Sequence, residues 1–152
     1  RSGAALISLV LLLVLAVSAG AASSQNVGVK FWKERSDKES MANSGIDPDR
    51  TATLTRQANG TYTLTLPVMQ VSKLGVTGYL SGLTIGDVTY DGTLTGDFNK
   101  ATAVLTIKNL PASVLTGSDV NKSVLVTCNI QMDLQVLGEI NTSARMCIWN
   151  QK

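Results

Sequence analysis

Few side chains in this sequence can do chemistry, and their types narrow what is open to it. None of the 152 residues is a histidine. That removes Ser-His-Asp and Cys-His nucleophile activation, imidazole acid–base work at neutral pH, and histidine ligation of zinc or haem. Asp87, Asp91 and Asp97 fall close together, as oxygen ligands for calcium do in extracellular β-domains. Their spacing matches no calcium loop, however, and each borders a glycine, where a carboxylate satisfies backbone donors of a turn. No carboxylate pair is spaced to face across a cleft as glycoside hydrolysis requires. No catalytic residue and no metal ligand is therefore assigned, and the chain is read as a binding or structural domain, not an enzyme.

Composition agrees. Hydrophobic residues make up 44%, charged residues 16%, and the net charge is +2, which argues against a disordered chain and an electrostatic nucleic-acid binder. Asn59-Gly60-Thr61, Asn121-Lys122-Ser123 and Asn141-Thr142-Ser143 match the glycosylation acceptor pattern, at a frequency that chance explains in a chain this rich in Asn, Ser and Thr.

Stepping out from these side chains to the segments that carry them, Ala4 to Val17 is a continuous apolar run followed by Ser18-Ala19-Gly20-Ala21. The run is shorter than the ~20 residues a membrane span needs and ends on small residues, the pattern of a signal peptide cleaved after Ala21; an uncleaved N-terminal anchor is the alternative. Residues 1–21 are thus expected to be a signal and 22–152 one exported domain, with its strands from about Gln25 to Trp149. The protein is expected to be secreted or at the cell surface, meeting a membrane only through that signal or an anchor.

The exported part alternates with the period of half-buried strands. Tyr62, Leu64 and Leu66 share one face and Thr61, Thr63 and Thr65 the other. Asn59-Gly60 is tight-turn chemistry, so Thr51 to Gln57 and Thr61 to Val68 form a hairpin, with Pro67 at an edge or strand end. Val27, Val29 and Phe31 mark a first strand. Further strands are expected at Val76 to Ile85, Val88 to Tyr90, Thr93 to Phe98 and Ala101 to Ile107, with turns at Gly86-Asp87, Asp91-Gly92 and Asn99-Lys100. The longest alternation, Val124 to Val136, puts Cys128 on its dry face. In the last strand, Thr142 to Trp149, burying Ala144, Met146 and Ile148 turns Cys147 outward with Arg145 and Trp149. In an exported chain two cysteines ordinarily pair, but residues opposed on a ladder share a face, and this parity opposes a direct bridge. A disulfide and two separate thiols both stay open. Eight or nine short strands without helical periodicity predict an all-β fold, an immunoglobulin-like antiparallel β-sandwich.

Between the first strand and the hairpin, Lys38 to Pro48 contains the amphipathic cluster Ser40-Met41-Ala42-Asn43. Local physics gives a short helical turn capped by Asp37 or Ser40, with Met41 and Ile46 folded over the apolar mouth of the sandwich.

The order of these features is similar to that of NEAT (near iron transporter) domains: a first strand, then Lys38-Glu39-Ser40-Met41-Ala42-Asn43, then Thr51-Ala52-Thr53-Leu54, then Asn59-Gly60-Thr61-Tyr62-Thr63-Leu64-Thr65-Leu66, and a closing hairpin ending Ala144-Arg145-Met146-Cys147-Ile148-Trp149. Gly75 to Leu83 resembles a clostridial-type variant of the family. Such domains are immunoglobulin-like modules on Gram-positive surfaces that bind haem or haemoproteins between the Ser-Met turn and the closing hairpin. The resemblance implies that Ser40 donates a hydrogen bond to a propionate and Met41 covers the porphyrin face. Ile46, and Val136 and Met146 from the hairpin, complete the implied ligand-contacting set. It also implies haem as the cofactor, with a haemoprotein or another surface protein as partner. The family's tyrosine pair in the closing hairpin has no counterpart in Val136 to Thr142. Iron ligation would then fall to Met132, Met146 or a cysteine. The other reading is a structural or adhesive immunoglobulin-like module of a bacterial surface protein, with no haem bound.

Overall fold

The structure, a computed structural model, describes residues 23–73, 76–133 and 138–151. The expected signal segment, residues 1–21, and Val136 lie outside the described residues. Among the described residues there are nine strands: β1 Ser23–Lys33, β2 Ala52–Arg56, β3 Tyr62–Pro67, β4 Val71–Lys73, β5 Val76–Ile85, β6 Val88–Thr95, β7 Val104–Leu110, β8 Val124–Met132 and β9 Glu139–Asn150. Four short 3-10 turns are the other regular elements among the described residues. Among the described residues no helix is long and apolar enough to cross a membrane.

The all-β, antiparallel expectation holds, but the hydrogen bonding describes one sheet, not two. The strands run β4-β5-β6-β7-β3-β2-β1-β9-β8, and β5 also pairs with β8. That pairing closes every strand except β4 into a barrel. β4 occupies the start of one β5 edge, through Val71↔Gly78, and β6 the end of the same edge, through Gly82↔Asp91. Alternating sequences read alike for a sandwich and a closed barrel, because both bury one face of each strand; closure is decided by which edges meet, and it removes open edges that would invite aggregation.

The inward faces supply the core. Phe31, Leu54, Leu64, Leu66, Leu83, Leu105, Ile107, Met146 and Ile148 are all essentially inaccessible. The β2–β3 hairpin forms as the turn chemistry predicts, in register Thr53↔Thr65 and Leu54↔Leu64, and Pro67 ends its strand opposite Val104.

Three local expectations change. Asp91-Gly92 is not a turn but the middle of β6, where that strand hands its pairing from β5 to β7, with Gly92 opposite Ile107. A Cβ on Gly92 would collide with Leu105 Cδ1, so glycine there permits close strand approach at a barrel corner. The strand expected to run to Phe98 stops at Thr95, and Phe98–Lys100 forms a 3-10 turn capped by Asp97, whose carboxylate accepts from Asn99 N at 2.8 Å. This is the turn role expected of that aspartate. Finally, Cys147 lies on the outer face of β9 as parity requires, yet it is fully buried. Thr116 N and Gly117 N both bond Ile148 O, at 3.0 and 2.9 Å, and this crossing segment covers the thiol, whose Sγ donates to Asp119 O at 3.4 Å. Cys128 faces the core opposite Thr142, and both cysteines are free.

Candidate ligand groove

The turn predicted around Ser-Met-Ala-Asn is a 3-10 helix, Met41–Gly45, with Ser40 as its N-cap. The Ser40 hydroxyl accepts from Ala42 N at 3.2 Å, while Asn43 N bonds Ser40 O and Ile46 N bonds Asn43 O. A turn of five residues has no stability of its own, so its position depends on ties to the barrel. Asn43 provides the main one. Its Oδ1 accepts from Phe31 N at 2.8 Å, and its Nδ2 donates to Phe31 O at 2.7 Å and Ser40 O at 2.9 Å. The side-chain amide thus acts as a strand partner for β1 beyond the point where pairing with β2 stops. The far end is held by an Ile46↔Val68 bridge and by Met69 N bonding Gly45 O at 2.9 Å.

A second anchor follows directly. Arg50 Nε lies 2.8 Å from Asp47 Oδ2, and its Nη2 donates to Ala103 O at 2.8 Å. The Arg50 hydrogen bond, with a further one from Asp49 N, holds the Asp47 carboxyl below its ordinary value against the opposing effect of burial.

Between this turn and the barrel lies an apolar groove of about 300 Å³. Met41, Ala42 and Gly45 form its lid side, and Val71, Val76, Gly78 and Leu80 come from β4 and β5. Ile130 and Met132 of β8, with Ile140 and Thr142 of β9, form the opposite wall. The register explains why these residues share one face. Gly78 pairs with Met132, Leu80 with Ile130, Ile130 with Ile140, and Cys128 with Thr142. Tyr79 also contributes to the wall. Alternation sends its side chain to the face opposite Gly78 and Leu80, and its ring packs on Phe98 with centroids 5.5 Å apart.

Among the described residues no charged side chain lines this groove. Met41, 58% exposed, and Ile140, 40% exposed, stand at its mouth. A Cβ on Gly78 would lie 2.6 Å from Met132 Sδ, so the absence of a side chain there gives the thioether its place. Cys128 precedes Ile130 on the same face of β8, and burial pushes its thiol up to about 12. Among the described residues no cluster of three or more His, Cys, Asp or Glu side chains is arranged to hold a metal ion.

Of the site residues expected from the sequence, Met41 lines the groove. Ser40 is 7% exposed and spends its acceptor on capping, behind the lid. Ile46 packs against the core, and the concavity it lines is a second one, shared with Asp47 and Arg50. Met146 is fully buried in the barrel, opposite Phe31 and Val124. Val136 lies outside the described residues. Met132, read from the sequence only as one of several candidate iron ligands, is in the groove. Asn43, Gly78, Ile130 and Ile140 were not singled out. Strand parity relative to Cys128 marks Ile130 as inward, whereas the Asn43 amide carries no signal that separates it from an ordinary loop asparagine.

No protein-family profile and no curated protein matches the sequence. The fold does match solved structures. The NEAT5 domain of IsdX2, a B. anthracis hemophore, in complex with heme aligns with a TM-score of 0.55 and 11% sequence identity, covering 87% of this chain and 99% of that one. A mutant of the same domain, also with heme, aligns equally well and is covered to 98%. The chain therefore has a NEAT-like fold.

Proposed function

We propose that this domain is an extracytoplasmic binding module, exported through its N-terminal segment, that takes haem or the haem edge of a haemoprotein in the groove beneath the Met41–Gly45 turn. The observation that carries this reading is the groove itself. Among the described residues it is apolar and free of charged side chains, and it is bounded by the Ser-Met turn on one side and strands β8 and β9 on the other. These are the two elements between which NEAT domains hold haem. Its volume is at the lower end of the ~300–1,000 Å³ common for small-molecule sites, which suits partial insertion of a flat ring with its polar edge left in water.

The residues fit the ring and depart from the family in how they would meet its metal. Met41, Ala42, Ile130 and Ile140 offer apolar contact to a macrocycle, and the missing side chain at Gly78 gives Met132 Sδ its place beside them. Bound haem would supply an iron centre, whereas the wall offers it thioethers and one threonine hydroxyl and neither imidazole nor the family's hairpin phenolate. Binding by ring burial is the role assigned to this chain's own residues.

Titration of the purified protein with haemin, followed at the Soret band, tests the proposal beside Met41→Ala and Met132→Ala. A saturable one-to-one shift weakened by Met41→Ala is expected. No shift at any concentration, together with no binding to immobilised haemoglobin, would leave the structural or adhesive reading, which the lack of histidine and the packing of the Tyr79 ring on Phe98 favour.

A further inference from the structure

Strand β9 has two neighbours for only part of its length. β1 leaves it at Lys33↔Ala144, whereas β8 runs on beside it to Gln131↔Glu139. Residues 139–143 therefore have β8 on one side and, among the described residues, no strand on the other. Gly138 O accepts from Met132 N of β8 at 2.8 Å, and Ile148 O, at the far end of β9, accepts from Thr116 N and Gly117 N on the side away from β1. Backbone direction alternates along an antiparallel strand, so the even-numbered residues turn toward β8, and Glu139, Asn141 and Ser143 turn their N–H and C=O groups to the open side. All three are exposed, and among the described residues nothing bonds these backbone groups.

The geometry points to a two-fold contact between two copies of this chain, made by antiparallel pairing of residues 139–143 about Asn141 and independent of any ligand in the groove. The segment is complementary to itself. In this register Asn141 meets its own counterpart and Glu139 meets the counterpart of Ser143, so each outward residue exchanges both backbone bonds and no like charges are opposed. On the inward face Ile140 stands opposite the counterpart of Thr142, which covers a side chain that is 40% exposed in the single chain. Open edges are ordinarily protected by lysine, proline or a bulge. Residues 140–143 are Ile-Asn-Thr-Ser, and their pairing with β8 runs without a register shift. So short a contact is small for a permanent dimer, and the association is correspondingly weak and dependent on concentration.

Sedimentation velocity of the purified protein over a concentration series, with amide exchange followed by NMR in the same samples, tests the contact. The mass should rise toward that of a dimer, and the Asn141 and Ser143 N–H groups should exchange fast when dilute and slow down as the dimer forms. Asn141→Pro removes an N–H that the barrel does not use, and proline is admitted on edge strands; this variant should fold and remain monomeric. Asn141→Lys and Asn141→Asp are milder. Each opposes like charges at the two-fold axis and should weaken association about fivefold, the upper end for one cross-strand pair, while an equimolar mixture of the two should recover it. A monomer at every concentration, exchange at Asn141 that stays fast within a dimer, or a mixture that associates no better than either variant alone would overturn the inference.

Discussion

Replacing Asn43 with alanine removes three hydrogen bonds at once, but they are not equal. Phe31 O keeps Ser40 N as a partner at 3.0 Å, and Ser40 O keeps Asn43 N at 3.2 Å. Phe31 N has only Asn43 Oδ1 on that edge, and Phe31 is 1% exposed. The variant therefore strands one buried N–H. Such an orphan costs about 1–3 kcal/mol, and the surplus bonds lost with it add roughly 1 kcal/mol, for an expected destabilisation of about 2–4 kcal/mol. With a urea slope of ~2 kcal/mol/M, the middle of the range for a small domain, the unfolding midpoint should fall by about 1–2 M. Trp32 lies on β1 next to Phe31, so its fluorescence is a suitable probe. Asn43→Asp sharpens the test. Its carboxylate still accepts from Phe31 N but cannot donate to Phe31 O and repels it, so this variant is destabilised at neutral pH and gains on wild type as acidification protonates it. A loss below about 0.5 kcal/mol for Asn43→Ala, the range of an ordinary surface change, would refute the view that this amide pins the lid.

Other outcomes follow from the same geometry. Because the Asp47 carboxyl is held below its ordinary value by Arg50, the stability it contributes is complete above about pH 4 and lost as pH falls through the depressed value; acid titration of unfolding in Asp47→Asn should lack that component. With Cys128 pushed up to about 12 and both thiols buried, a thiol reagent at pH 8 should label neither cysteine in the native protein and both in denaturant; a single mass consistent with a disulfide would contradict the fold around Cys147. Gly78→Ala forces a methyl to within 2.6 Å of Met132 Sδ and 3.0 Å of Gln131 O, and the overpacking should cost about 1–3 kcal/mol, read as a lowered Tm, and weaken porphyrin binding in the same variant.

Strand placement was largely legible because period-two alternation and turn dipeptides are local. Val76–Ile85 appears in the structure with the bounds its sequence suggests, and Ala144, Met146 and Ile148 are buried together. What the pattern hid was whatever depends on distant partners. Asp91-Gly92 reads as a turn because its residue types favour one; only the approach of Leu105 reveals a corner within a strand. Cys147 reads as exposed because alternation cannot see the 116–119 segment laid across its face. Barrel closure through β5 and β8 is similarly invisible to alternation. The site divides along the same line. The capping chemistry of Ser40 and the exposure of Met41 are local, whereas Met132 enters the groove only through its register against Gly78.

The chain has four methionines, and the structure gives them separate fates: Met41 and Met132 on the groove wall, Met69 on the surface and Met146 in the core. Labelling their methyl groups with carbon-13 and titrating with metal-free protoporphyrin, which is diamagnetic and needs no ligand, tests ring binding in this groove most directly. Ring-current shifts should appear at Met41 and Met132 and saturate together at one equivalent, with Met69 and Met146 unmoved. Shifts confined to Met69, or none at saturating porphyrin, would contradict the account.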